Sequence, residues 1–242
     1  MMKTKFIMFF LVFVSICKAQ ILDEYPEKQS FYEGGIVNFY KDVHEYLVKN
    51  NFKECSDKEI YQPRIIVTEK AEVKFIKDQD TANIARNKCA YDLSREVLKN
   101  LKKWKPAEAK GWKIGAITEF ILYPKDLMSN YQPGYDANKF VAHTKYPEGS
   151  KAFHTLFHDN FMTIFSDYQL NGKVNLEFYI NKDGRITNPR IYPEVDNKNF
   201  NIDFMRTLAR IKKIWIPAFY KDIPIVERIS FPVQFSITFT ER

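Results

Sequence analysis

His154 and His158 stand four residues apart, which puts both imidazoles on one face of a helix at a spacing that zinc can use. Asp159 is adjacent and His143 lies upstream. The glutamate that a helical metalloprotease motif sets between its histidines is missing, and no third ligand stands at a matching interval. The alternative is two surface histidines flanking an aromatic stripe, which leaves no metal ligand here; His44 is isolated. Asp78 and Asp80 pair two carboxylates in polar sequence, where solvation leaves them untuned for acid–base work. No Gly-rich phosphate loop, nucleophile elbow or Cys–His pairing occurs. The residue types that do chemistry predict no catalytic residue, no metal and no cofactor, and hence a protein that is not an enzyme. A metal-dependent enzyme built on His154 and His158 is the weaker competing reading.

The N-terminus reads as an export signal. Lys3 and Lys5 precede an unbroken apolar stretch, residues 6–14, and small side chains at Cys17 and Ala19 place cleavage after Ala19. A membrane helix needs about 20 apolar residues, and this run stops at Ser15 after roughly half that number. Cys17 is also a candidate lipidation site, with bulky Ile16 against it. Cleavage would leave 223 residues, enough for two small domains, and no second apolar span follows. The formal charge of +7 would fall to +4, since Lys3, Lys5 and Lys18 leave without an acid. Lysines and acids are interspersed throughout, which argues against a nucleic-acid footprint. Export places Cys55 and Cys89 where a disulfide persists, so they form either one bridge or two buried thiols.

The chain repeats itself. Tyr25-Pro26-Glu27 returns as Tyr146-Pro147-Glu148, 121 residues on, and Trp104-Lys105-Pro106-Ala107 returns as Trp215-Ile216-Pro217-Ala218, 111 residues on. The first copy therefore carries about ten extra residues, placed at 51–62. Residues 125–145 hold Pro133, Gly134, Asn130 and Asn138 with little apolar periodicity and read as a linker. Tyr131 and Tyr135 within it are expected to pack between the copies.

In the second copy, Phe153, Phe157, Phe161 and Ile164 predict a helix over 150–165. Val174, Leu176, Phe178 and Ile180 alternate as a strand with one buried face. Asn181-Lys182-Asp183-Gly184 supplies a hairpin turn, and the return strand 185–192 carries Pro189, the mark of an edge or a bulge. Phe204, Leu208 and Ile211 predict a helix over 201–214 closed by Lys212 and Lys213 and ended by Pro217. Ile229, Phe231, Val233, Phe235, Ile237 and Phe239 then make a final strand. Crossover handedness puts the first strand in the middle and the third at an edge. The first copy repeats this order: Val37, Tyr40, Val43, Leu47 and Val48 on a helix, strands at 64–68 and 72–76, a helix over 84–101, and a strand over 114–123. The fold class is thus α+β: two tandem (α)ββαβ modules, each a small three-stranded antiparallel or mixed sheet packed on helices. The expected bounds are 1–19 for the signal, 20–124 for the first module, 125–145 for the linker and 146–242 for the second module.

The second copy resembles the TonB C-terminal domain family over residues 146–239, through Tyr146-Pro147, Asn171-Gly172-Lys173-Val174-Asn175-Leu176-Glu177-Phe178, Asp183-Gly184-Arg185-Ile186-Thr187-Asn188 and Trp215-Ile216-Pro217-Ala218. The first copy matches only at its ends. The resemblance implies a periplasmic or cell-envelope module that captures a short extended segment, such as one from an outer-membrane transporter, on its third strand. The implied partner-binding residues are Ser230, Phe231, Pro232, Val233, Gln234, Phe235 and Ser236, with Gln234 and Ser236 pointing away from the buried phenylalanines. Pro232 lacks an N–H, so an interrupted or shifted ladder is expected there. The partner is a protein or peptide, with no nucleic acid and no membrane span after signal cleavage. A second copy of the chain paired edge to edge, a homo-oligomer, is the alternative occupant. The family's energy transducers keep an N-terminal membrane helix and a proline-rich spacer; neither is read here, which favours a binding module.

Overall fold

The computed structural model describes residues 21–165 and 172–235, so the expected signal sequence lies outside the described residues. The class is α+β with small sheets. The first part runs β1 (Ile21–Leu22), α1 (Gly35–Lys49), β2 (Arg64–Val67), β3 (Val73–Phe75), α2 (Thr81–Arg86), α3 (Lys88–Asn100), β4 (Ala107–Ala109) and β5 (Trp112–Glu119). Then follow α4 (Pro124–Leu127), a 3-10 turn (Ala137–Phe140) and β6 (Val141–Ala142). The second part runs α5 (Ser150–Phe165), β7 (Gly172–Ile180), β8 (Ile186–Tyr192), α6 (Lys198–Ala209), β9 (Ala218–Tyr220), β10 (Ile223–Ile225) and β11 (Glu227–Phe235). Among the described residues no helix is long and apolar enough to cross a membrane.

Both copies build their sheet in the same order. The closing strand pairs antiparallel with the first strand, which lies between it and the return strand: β5-β2-β3 in the first copy and β11-β7-β8 in the second. The expected central position of β7 is therefore found. In α1 the buried face is Phe39, Tyr40, Val43 and Leu47. Val48, placed on that face by the reading above, is 55% exposed, because it stands a further 100° round the helix from Leu47.

The helix expected over 84–101 is broken at Asn87 into α2 and α3. Its restart leaves the first-turn N–H groups of Cys89 and Ala90 free of helical partners, and both donate to Glu59 Oε2, at 2.9 and 3.2 Å. In α6 the start moves earlier, since Asn197 Oδ1 accepts from Phe200 N at 3.0 Å and caps the first turn. The helix ends at Ala209, so Lys212 and Lys213 do not close its last turn and Pro217 is not its terminator. The chain beyond it extends instead, and Trp215 N donates to Gly184 O at 2.9 Å.

That contact fixes Gly184 twice over. Its φ is +76°, the left-handed region that the hairpin turn requires, and a Cβ built on it would stand 2.0 Å from the carbonyl oxygen of Trp215. Gly184→Ala is expected to cost about 2 to 3 kcal/mol, from the left-handed conformation and the backbone shift together. A lowered urea midpoint would show it; an unchanged midpoint would mean the turn opens freely. On β8 the Pro189 expectation holds in both forms. Among the described residues the strand is an edge, and its register with β7 shifts between Glu177 and Tyr179, where Asn188 takes φ +46°.

Residues 125–145, expected as a linker, pack into the first core. Leu127, Tyr135 and Ala137 are buried there, joined by Ala218, Tyr220 and Ile225 from the β9–β10 hairpin of the second copy. β6 pairs with β9 to complete a three-stranded sheet in the order β10-β9-β6. A buried polar network ties the pieces together. Tyr135 and Tyr220 share a hydroxyl hydrogen bond of 2.8 Å, Tyr220 OH donates to Asp126 Oδ2, and Lys221 Nζ donates to Asp126 Oδ1 at 2.8 Å. Asp126 is only 2% exposed, and these donors satisfy its carboxylate. Tyr131 stacks on His44, with ring centroids 3.8 Å apart.

Candidate functional site: the outer edge of the closing strand

β11 pairs with β7 in unbroken register from Glu227 to Phe235. Ile229, Phe231 and Val233 pack on the second core, while Ser230, Pro232 and Gln234 are exposed. The expected interruption at Pro232 does not occur. Along an antiparallel strand the N–H and C=O of successive residues face opposite neighbours. A proline inside a continuous register must turn its missing donor away from the partner, so Pro232 faces the free side. The backbone groups of Arg228, Ser230 and Gln234 share that parity and face outward with it. Val226 bears this out: its N–H donates to Gln62 Oε1 at 2.9 Å and its carbonyl accepts from Gln62 Nε2 at 2.7 Å. The Gln62 amide thus stands in for a neighbouring strand at the root of β11. Among the described residues no strand pairs with the outer edge beyond it. The side chain of Phe235 and all of Ser236 lie outside the described residues.

The first copy shows a strand added at the root of the same edge. β4–β5 and β9–β10 superpose in register at a constant offset of 111, since Ala107 pairs with Ile114 and Ala218 with Ile225. By that offset Gly115 and Ala116 correspond to Val226 and Glu227. They pair in parallel with Ile21 and Leu22 of β1. Further along, Ile121 corresponds to Pro232, and its carbonyl accepts from Tyr40 OH at 3.0 Å. The chain therefore adds a strand of its own to the closing strand of one copy.

Beneath β11, Glu177 is buried and receives Arg228 Nη2 at 2.7 Å and Arg190 Nε at 2.6 Å; Asp23 and Glu24, just after β1, pair with Arg190 and Arg228. This network holds the β7 face against the first copy and fixes the orientation of the open edge. A neighbouring cleft of about 650 Å³ between the copies is lined by Asp78, Asp80, Asn83, Arg64 and Tyr179. The two aspartates are engaged: Asp78 accepts from Tyr61 OH at 2.9 Å, and Asp80 caps α2 by accepting from Asn83 N at 2.8 Å. Lys182 donates to Asn83 Oδ1 at 2.8 Å, and burial, with Arg86 nearby, holds its amine below the ordinary range.

His154 and His158 are exposed on α5; His154 meets the Phe231 ring edge-on at 4.5 Å, and His158 lies against Asp159 at 3.5 Å. His143 is apart from both, bonded to Glu227 Oε1. The cluster of metal-type side chains found among the described residues is Cys55, Glu59 and Cys89. Its sulfurs are joined to each other as a disulfide, and its carboxylate caps α3. Sequence reasoning missed Gln62 and β1 as edge partners, because neither carries a signal beyond its position in the chain. No family model, curated protein or solved structure matches this chain.

Proposed function

We propose that the protein is an exported module of the TonB C-terminal-domain kind. In this reading it binds an extended peptide or protein segment by strand addition to the outer edge of β11, in the periplasm or cell envelope, as part of TonB-dependent transport across the outer membrane. One observation carries the proposal: the closing strand of the first copy takes a strand, Ile21–Leu22, on its outer edge, and among the described residues no strand pairs with the outer edge of β11 beyond Gln62. An incoming strand would hydrogen-bond the outward groups of Arg228, Ser230 and Gln234, and its alternate side chains would give selectivity.

The test compares wild type with Gln234→Pro in capture from outer-membrane extracts, followed by binding of the captured protein's own extended segment as a synthetic peptide. The substitution removes an outward donor and leaves the β7 ladder intact, so the fold is retained while affinity falls at least about tenfold. Equal binding by both proteins would rule out strand addition at this edge. A wild-type dimer dissociated by the same substitution would replace the peptide with a second copy of the chain.

A further inference from the structure

The β4–β5 and β9–β10 hairpins have the same pairing, yet their tips meet different surroundings. In the second copy the tip is engaged: Lys221 donates to Asp126 and lies over the Phe140 ring at 5.2 Å. In the first copy the corresponding tip, Lys110-Gly111-Trp112, faces outward, and Trp112 is 76% exposed while Trp104 and Trp215 are buried. Residues 99–113 hold six lysines against the single acid Glu108, a local excess hidden by the chain-wide mixing of charges. Lys103 is drawn to Asp42, whereas Lys105 is exposed and Lys110 and Lys113, also exposed, flank the tryptophan in the hairpin tip. β1 enters beside them. Ile21 is 46% exposed and pairs with Gly115, three residues or about 10 Å along β5 from Trp112. β1 therefore begins toward the end of β5 that carries the tip.

We propose that this hairpin tip docks on an anionic lipid bilayer, with the Trp112 ring at headgroup level and the Lys110 and Lys113 amines on lipid phosphates. A tryptophan joins an apolar body to an N–H donor and suits that boundary. Lysine stems lie along apolar surface while their amines stay in water. A diffuse cationic rim around one exposed ring matches a charged plane, and the surface is separate from the β11 edge.

The test uses the full chain with phosphatidylcholine vesicles, with and without phosphatidylglycerol. Trp112 is the exposed fluorophore, so its emission reports its own contact. A blue shift and quenching by brominated acyl chains are expected only when phosphatidylglycerol is present. Lys110→Gln with Lys113→Gln should weaken partitioning about thirtyfold, and Trp112→Ser should abolish the shift. All three positions are exposed, so the variants keep the fold, which near-ultraviolet circular dichroism checks. Equal partitioning to both vesicles with unshifted Trp112 emission would mean that residues 1–20 alone hold the membrane, and would overturn the proposal. A blue shift in lipid-free buffer with a doubled mass would assign the tip to a second copy and overturn it equally.

Discussion

Raising the pH past about 10 is expected to unfold the protein within roughly one to two further pH units. Tyr32, Tyr40, Tyr61, Tyr135 and Tyr220 are all buried. Burial pushes each phenol well above its ordinary value, and carboxylates add to the push: Asp42 beside Tyr32, Asp78 beside Tyr61 and Asp126 beside Tyr220. Below pH about 10 the folded and unfolded chains both hold these protons, so the stabilisation is intact. Above it the unfolded chain releases them while the folded chain cannot. Each such tyrosine then costs about 1.4 kcal/mol per pH unit, and five cost about 7, against a total stability of about 5 to 15 kcal/mol. Tyrosinate absorbance and far-ultraviolet circular dichroism should change together and cooperatively. Tyr135→Phe should flatten the alkaline slope by about one fifth. Gradual ionisation with the helical signal intact would contradict the assignment of these phenols to the core.

The same network shows what the sequence could and could not convey. α5 was legible to the residue, since Phe153 and Phe157 recur at helical spacing and both are buried. The β7–β8 hairpin was legible because alternation and the Asp183-Gly184 turn agree on one geometry. The β9–β10 hairpin was not. Ala218, Tyr220 and Ile225 look like any short strands, and nothing local says that they enter the first core. Residues 125–145 appeared as a linker because Leu127, Tyr135 and Ala137 are fixed by distant partners and not by periodicity. The break at Asn87 likewise depends on Glu59, 28 residues earlier in the chain. At the candidate edge the strand itself was legible from Glu227 to Phe235, and the meaning of Pro232 was inverted. Whether its missing donor harms the ladder depends on the parity of pairing with β7, which composition does not reveal.

Replacing Cys55 and Cys89 together by serine is expected to lower stability by about 4 kcal/mol, the loop-closure effect of a bridge spanning 34 residues. The bridge holds the insertion at 51–62 to the first turn of α3, and its position is set by more than sulfur. Glu59 accepts from Cys89 N and Ala90 N, and Ile60 N donates to Asn87 Oδ1 at 3.1 Å. The insertion thus supplies the cap that α3 lacks from its own Asn87 side chain. Glu59→Gln should therefore cost about 1 kcal/mol with the bridge intact, and more once the cysteines are gone, because an untethered loop must order itself to reach the helix. Tyr61, directly after this loop, pairs with Leu122 through both backbone bonds, at 3.0 and 2.8 Å, and continues the β2–β5 register. Loss of the bridge should accordingly loosen the far end of the first sheet, and faster amide exchange at Tyr61 and Leu122 would report it. An unchanged urea midpoint in the double serine variant would show instead that the cap and the Tyr61 pairing hold the insertion without the bridge.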